Sequence, residues 1–364
     1  MSLERRLSLA AALVISITLL IGGYILFEDG KGNLARSEQD QIETTSLVLL
    51  TAISQAESLT VSHAELLARD SSVADLVASG DRAALQARMK PVFDRLKVEA
   101  GVDVLHFQTA EMKSLLRVWK PDDFGQDLSR IRPMVLAANK SRQPQKGLEI
   151  GLAGLSLRAV SAIVRNDATI GTVEVGISLM SLMELAKSTT GADFAIFLDP
   201  QFIPDGKGGY GAKSALKLDV STNSQFFSEI QSRGQVRMTR EPASAVADYN
   251  GRTISLLARP LLDFSGKTIG VLFVAKDFSS SVSAFRSSWI TVVVIAICGF
   301  LIAYGAIMII LRSFVFRPLE RLVLDAGQGA LPEPAGSLQS YLGLREAVIE
   351  RMKLERSEKK ADAE

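Results

Sequence analysis

The sequence predicts an α+β chain: two tandem modules, each an antiparallel sheet with flanking helices, on a long N-terminal helix and bracketed by two transmembrane helices. Three observations predict it. Residues 7–27 and 289–311 carry no charged side chain. Between them, short and partly alternating apolar runs recur between turn signals, the strand signature. One such run also returns: Ile170-Gly171-Thr172-Val173-Glu174-Val175 is echoed by Ile269-Gly270-Val271-Leu272-Phe273-Val274. In both copies an apolar strand and a polar turn precede the Ile-Gly.

Each uncharged segment exceeds the ~20 residues a helix needs to cross a bilayer core. The first is longer than the apolar core of a cleaved signal peptide, and no small-x-small site follows it, so an uncleaved anchor is expected. Arg5 and Arg6 precede it, Glu28 and Asp29 follow it, and Arg312, Arg317 and Arg321 follow the second. By the positive-inside rule both termini are cytoplasmic and residues 28–288 lie outside. A bacterial inner membrane with a periplasmic domain is the expected setting.

A net charge of +1 over 364 residues gives no global field that would attract nucleic acid. Cys298 is the single cysteine, which excludes an internal disulfide framework. His63 and His106 are the only histidines, too few for a zinc site with that cysteine, and no cofactor is expected.

Residues 34–69 contain no Pro or Gly, and Leu50, Ile53, Ala56, His63 and Leu67 recur at helical spacing, predicting one long helix rising from the first span. His63 falls on or near its apolar stripe as a packed histidine. Asp81 is placed to cap a second helix from Arg82 to about Ala100, broken or offset near Pro91. Strands follow over 102–107, 114–119, 155–163 and 170–178, with a helical stretch over 128–139 and an Asn166-Asp167 turn. The second module opens with a strand over 194–198. A Gly-rich loop runs over 204–211, and a hairpin region begins at Asn250-Gly251. That loop lacks the Gly-Lys-Ser/Thr of a phosphate loop and reads as a flexible turn. Beyond the second span, Arg317-Pro318-Leu319 begins a short amphipathic helix. Leu331-Pro332-Glu333-Pro334 makes a connector, and Leu338, Leu342, Ile349 and Met352 line a second helix.

The expected segments are 1–6 (cytoplasmic), 7–27 (span), 28–101 (stalk helices), 102–185 (membrane-distal module) and 186–288 (membrane-proximal module). They continue as 289–311 (span), 312–354 (relay) and 355–364 (charged tail).

Four blocks carry a family resemblance: Leu105-His106-Phe107, Ser114-Leu115-Leu116-Arg117-Val118-Trp119-Lys120-Pro121, Phe124-Gly125-Gln126-Asp127-Leu128-Ser129 and Gly147-Leu148-Glu149-Ile150-Gly151. With Gly171-Thr172-Val173-Glu174-Val175-Gly176, they resemble bacterial double Cache sensor domains over roughly residues 30–285. The resemblance implies PAS/Cache-like modules serving as the extracytoplasmic part of a chemoreceptor, sensor kinase or cyclic-dinucleotide enzyme. The segment after the second span is similar to a HAMP relay. The chain departs from the usual pattern at Gln108, Ala110, Leu115 and Leu152, so no relative's ligand is carried over.

On a strand, alternate residues share a face. Leu115, Arg117 and Trp119 are therefore expected on one face, with Ser114, Leu116 and Val118 opposite; Ser156 and Arg158 share a face, as do Thr172 and Glu174. Arg117 or Arg158 could hold a ligand carboxylate by bidentate hydrogen bonds. Trp119 could supply an aromatic wall or cation–π face, and His106 a further contact. Asp127, Glu149 and Glu174 could instead bind an amine. The competing reading is that these arginines and acids simply pair with one another and fix the loops.

Catalysis finds no motif: there is no His-Glu-x-x-His and no Gly-x-Ser-x-Gly. The segment after the second span has no histidine and is shorter than an ordinary domain. The expectation is therefore a non-enzymatic sensor for a small periplasmic organic acid, amino acid or amine. It would act as a homodimer, relaying a conformational change across the membrane; the alternative is an interaction subunit that signals through a separate cytoplasmic output protein.

Overall fold

The computed structural model describes residues 3–151, 154–203, 215–319, 346 and 348–353. The Gly-rich loop and most of the expected relay lie outside these residues. Two compact units emerge, one of Met1–Asp29 with Ser287–Glu364, the other of Gly30–Arg286.

Helix α1 runs unbroken over Leu3–Arg69 and α7 over Ser279–Leu311. Each is long and apolar enough to cross a membrane. Where α1 joins the folded unit its buried stripe is Ile42, Leu49, Ile53, Ala56, Thr60, Ala64 and Ala68. That stripe is rotated slightly from the predicted one: Leu50 and Leu67 are partly buried beside the core, and His63 sits at its margin. Asp70 then caps an unpredicted short helix α2, Ser71–Ser79, accepting from the Ser72 and Val73 amides. Asp81 caps α3, Arg82–Ala100, as the sequence predicted, although Pro91 lies inside the helix and does not end it.

The first module is a five-stranded antiparallel sheet ordered β2-β1-β5-β4-β3. Its strands are β1 Val102–Thr109, β2 Ser114–Arg117, β3 Gln145–Gly151, β4 Gly154–Arg165 and β5 Ala168–Ile177. Helix α4, Pro133–Ser141, joins β2 to β3; it starts at the proline, five residues later than predicted, because proline suits a first helical position. Helix α5, Leu179–Thr190, leads to the second module. There β6 Asp193–Leu198, β7 Lys217–Ser221, β8 Ala243–Tyr249, β9 Arg252–Leu262 and β10 Thr268–Asp277 take the order β7-β6-β10-β9-β8, with helix α6 over Ser224–Ser232. The two sheets have the same topology, so the echo in the sequence reflects a structural repeat.

Matching devices build both sheets. Asn166 and Asp167 have φ of 47° and 56°, and Asn250 and Gly251 have 53° and 74°. Two positive values mark the tight hairpin turns that join β4 to β5 and β8 to β9. The glycine of each Ile-Gly sits where the central strand crosses its neighbour without room for a side chain. A Cβ on Gly171 would lie 2.4 Å from the Gln108 carbonyl oxygen, and one on Gly270 would lie 2.2 Å from that of Phe197.

The main core fills the space between α1–α3 and one face of the first sheet, where Phe107, Leu105, Val173, Val175 and Leu157 are fully buried. Burying a side chain such as Phe107 stabilises by about 1.5–3 kcal/mol. The other face of this sheet carries polar side chains instead. The modules also touch directly: the Phe264 amide donates to the Leu148 carbonyl at 3.0 Å, and the Leu155 amide to Asp219 Oδ2 at 3.2 Å.

Candidate functional site

Strands β1, β4 and β5 bring the polar face together. Antiparallel pairing sets His106 opposite Glu174 and Gln108 opposite Thr172. Arg158 lies on β4, next to β5, and Glu149 on β3 pairs with Ser156. All these side chains point away from the helical core, since Leu105, Phe107, Leu157 and Val175 fill it.

Glu174 is the hub and is 0% exposed. Its Oε1 accepts from Arg132 Nη2 at 2.6 Å and from Arg158. Its Oε2 accepts from Gln108 Nε2 at 3.2 Å and lies 3.4 Å from His106 Nδ1. Arg132 also donates to Glu149 Oε2 at 2.8 Å through Nε, while Glu149 Oε1 accepts the Met134 amide at 2.8 Å. Thr172 donates to Gln108, Arg158 Nε donates to Ser156 Oγ at 2.7 Å, and His106 Nε2 bonds Ser114 Oγ at 2.8 Å.

Electrostatics follow from burial and pairing. Burial alone would raise the Glu174 carboxyl, but Arg132 and Arg158 overcome it and hold the group well below the usual carboxylate range. Burial depresses the His106 imidazole to about 4, against the opposing pull of Glu174, so the ring is neutral at pH 7. Burial would lower the Arg132 guanidinium, yet Glu174 and Glu149 raise it instead. Two arginines then face two carboxylates and the cluster carries no net charge.

The sequence-predicted residues divide into three groups. His106, Glu149, Arg158 and Glu174 are brought together. Arg117 and Trp119 form the rim: Trp119 is 40% exposed and meets the His106 ring edge-on at 6.0 Å. Arg117 is tied to the Asp123 carbonyl and to Gln126 Oε1, each at 2.7 Å, and to Asp123 Oδ1 at 3.0 Å. Burial lowers its pKa, partly offset by Asp123. Asp127 is not in the cluster; it pairs through its backbone with Lys113, and its carboxylate caps the Ser129 amide at 2.9 Å.

One predicted face is corrected. Phe107 pairs with Leu116 but Gln108 with Ser114, so β2 has an extra residue, Leu115, opposite β1. This bulge flips the alternation. Ser114 therefore shares the cluster face with Arg117, and Leu115 goes to the helical core. β2 also ends at Arg117, leaving Trp119 in the following turn.

Arg132 is the member of the cluster that the sequence reading missed. It flanks the N-terminus of α4, outside every strand motif, and only the packing of α4 over the sheet brings it to the acids.

The second module shows what this face becomes without charge. In the shared topology Glu174 corresponds to Phe273, Thr172 to Val271, His106 to Ala195, Gln108 to Phe197 and Arg158 to Leu256. These five belong to an apolar core with Phe226 and Phe227. Phe197 and Phe273 meet edge-on at 5.5 Å.

Among solved structures, the chain is similar to the sensor domain of the Vibrio cholerae histidine kinase DctB. That match has 12% identity over 68% of this chain and 98% of that one, with a TM-score of 0.42. It is similar to the sensory domain of the Campylobacter jejuni chemoreceptor Tlp3 with isoleucine bound, at 14% identity over 68% and 95% of the two chains, TM-score 0.41. It is also similar to the periplasmic domain of Vibrio cholerae LuxQ, at 12% identity over 64% and 98%, TM-score 0.40. No curated protein matches the chain. Residues 35–282, well over half of the sequence, match the family described as the double sensory domain of two-component sensor kinases, and the chain belongs to that double Cache sensor family.

Proposed function

We propose that this chain is a two-pass inner-membrane sensor that binds a small periplasmic organic acid, amino acid or amine at the charged face of its first module. In this reading 28–288 is periplasmic, 102–185 is the membrane-distal module, 186–288 is the proximal one, and 312–354 relays the signal. A homodimer and a separate cytoplasmic output protein complete the reading, and no catalytic step is assigned to the chain.

The observation that carries the proposal is the contrast between two equivalent sheet faces. One is filled by Phe273, Val271, Ala195 and Phe197; the other holds Glu174, Thr172, His106 and Gln108. Burying charge is expensive and well-packed apolar residues often stabilise more. A fold that has already solved this position with phenylalanine gains no stability from an ion cluster, and recognition of a polar ligand supplies a reason for it.

The closed cluster is one of two arrangements in this mechanism. A ligand carboxylate competes with Glu149 and Glu174 for the guanidinium groups; a ligand amine competes with Arg132 for the two carboxylates. Arg132 lies on the connection into α4 rather than on the sheet, so it can exchange partners without breaking a strand. Signalling requires the ligand to favour one arrangement, because equal affinity for both shifts nothing. The test is a thermal-shift screen of the purified chain against amino acids, organic acids and amines, followed by Arg132→Gln. A stabilising compound whose effect vanishes in the variant is expected. Absence of any stabilising compound overturns the proposal.

A further inference from the structure

A second concave site lies at the outer end of β4, at the margin of the first sheet, and shares no lining residue with the ion cluster. It is a cavity of about 530 Å³ between the C-terminal end of α1, the start of α2, the loop after α4 and the outer half of β4. Its volume falls within the ~300–1,000 Å³ usual for small-molecule sites.

Two polar groups there have no protein partner among the described residues. Ser161 is 3% exposed and its Oγ is buried with no hydrogen-bond partner. Ser161 lies on the helix-facing side of β4, in line with Leu157, Ala159 and Ile163, so an apolar residue would fit its position. An unsatisfied buried hydroxyl is costly, and such groups need a reason. The second is the guanidinium of Arg142, an exposed residue held at φ 57° just after α4. The other charges in the wall are already answered: Arg69 pairs with Glu65 at 3.2 Å and Arg165 with Asp75 at 2.8 Å. Three arginines against two acids leave one positive charge over, and Arg142 carries it. Ala68, Ala74, Ala162 and Val164 supply apolar wall beside it.

We propose that this cavity binds a small organic monoacid, its carboxylate held by Arg142 and the Ser161 hydroxyl and its short carbon body against the alanines. The site is distinct from the ion cluster, because none of its lining residues belongs to that cluster. It joins α1, α2 and β4, so its occupant ties the end of the long helix to the sheet.

The full chain in detergent is titrated calorimetrically with acetate, butanoate, benzoate and succinate, and with butan-1-ol as the uncharged counterpart of butanoate. At least one monoacid is expected to bind while butan-1-ol does not. Arg142→Gln is expected to weaken that binding about tenfold or more, as loss of a charge-assisted contact does, and Ser161→Ala about threefold to tenfold. Both variants are expected to fold: Arg142 is at the surface, and removing an unpaired buried hydroxyl does not lower the melting temperature. Failure of all three monoacids to bind overturns the proposal, whether or not succinate binds, as do binding unchanged in Arg142→Gln and equal binding of butan-1-ol. Arg132→Gln, which disrupts the ion cluster, is expected to leave monoacid binding at this cavity intact.

Discussion

Replacing Glu174 by glutamine removes one charge from a cluster that has none to spare. The side chain keeps its shape, but Arg132 keeps only Glu149 and Arg158 loses the carboxylate it is paired with, and both arginines are more than nine-tenths buried. Breaking a buried pair by removing one partner costs about 3–5 kcal/mol. For a folded unit of this size each kcal/mol shifts the melting temperature by about 2–4 °C, so a fall of roughly 10 °C is expected. Circular dichroism on heating measures it. The exposed Arg233–Glu229 pair serves as the control, because Glu229→Gln should cost less than about 1 kcal/mol. The charges are also predicted to be coupled: Arg158→Met combined with Glu174→Gln should cost at least ~1 kcal/mol less than the sum of the single variants. A Glu174→Gln loss as small as that of Glu229→Gln would refute the view that these charges are held together out of water.

Three further outcomes are expected. The folded His106 titrates near 4 and the unfolded ring near its ordinary 6.5, so between these values only the unfolded chain takes up the proton. Stability should therefore be complete above pH 6.5 and fall toward pH 4, by at most about 1.4 kcal/mol per pH unit. The depressed Glu174 carboxyl loses its contribution only at still lower pH, so urea titrations at pH 7 and 5 should differ in the wild type and nearly agree in His106→Asn. Gly171→Ala and Gly270→Ala should each cost at least ~1–3 kcal/mol, because a backbone oxygen blocks the added methyl; Gly299→Ala, with open space around it, is the control. In a Trp289→Phe background, Trp119 reports from the rim of the cluster. A ligand that parts His106 from its partners should change the fluorescence, whereas a compound that stabilises without altering Trp119 binds elsewhere.

The central strands were legible in the sequence because burial on a known face leaves a strong signature. β5 and β10 declare themselves by the Ile-Gly and the apolar run after it, and the Asn166-Asp167 and Asn250-Gly251 turns require φ values few other residues accept. The strands not foreseen, β3, β7 and β8, all lie at sheet edges, where alternation is weak. α2 is short, and its cap, Asp70, directly follows the predicted long helix with no turn residue between them. Pairing of the acids and arginines was foreseen as the competing reading of the site. The particular partner of Glu174 and Glu149 was not, because Arg132 reaches them through a fold of the chain rather than a shared strand. Nor could alternation place Ser114, since a bulge inserts one residue and leaves no local mark in the sequence.

The bond from the Phe264 amide to the Leu148 carbonyl has a mechanical meaning. Leu148 precedes Glu149 on β3, while Phe264 sits in the turn from β9 to β10. A Cβ on Gly147 would lie only 3.0 Å from Phe264, so the two segments are seated without slack. β10 in turn ends at Asp277, and a single residue, Phe278, separates it from the start of α7. In the proposed mechanism the turn would work as the pawl of a ratchet: it rests on the strand that carries one cluster carboxylate, and β10, which leaves it, ends at the root of a helix long and apolar enough to cross a membrane. Movement of β3 when the charges exchange partners would be delivered there as displacement, with no diffusing messenger between the modules.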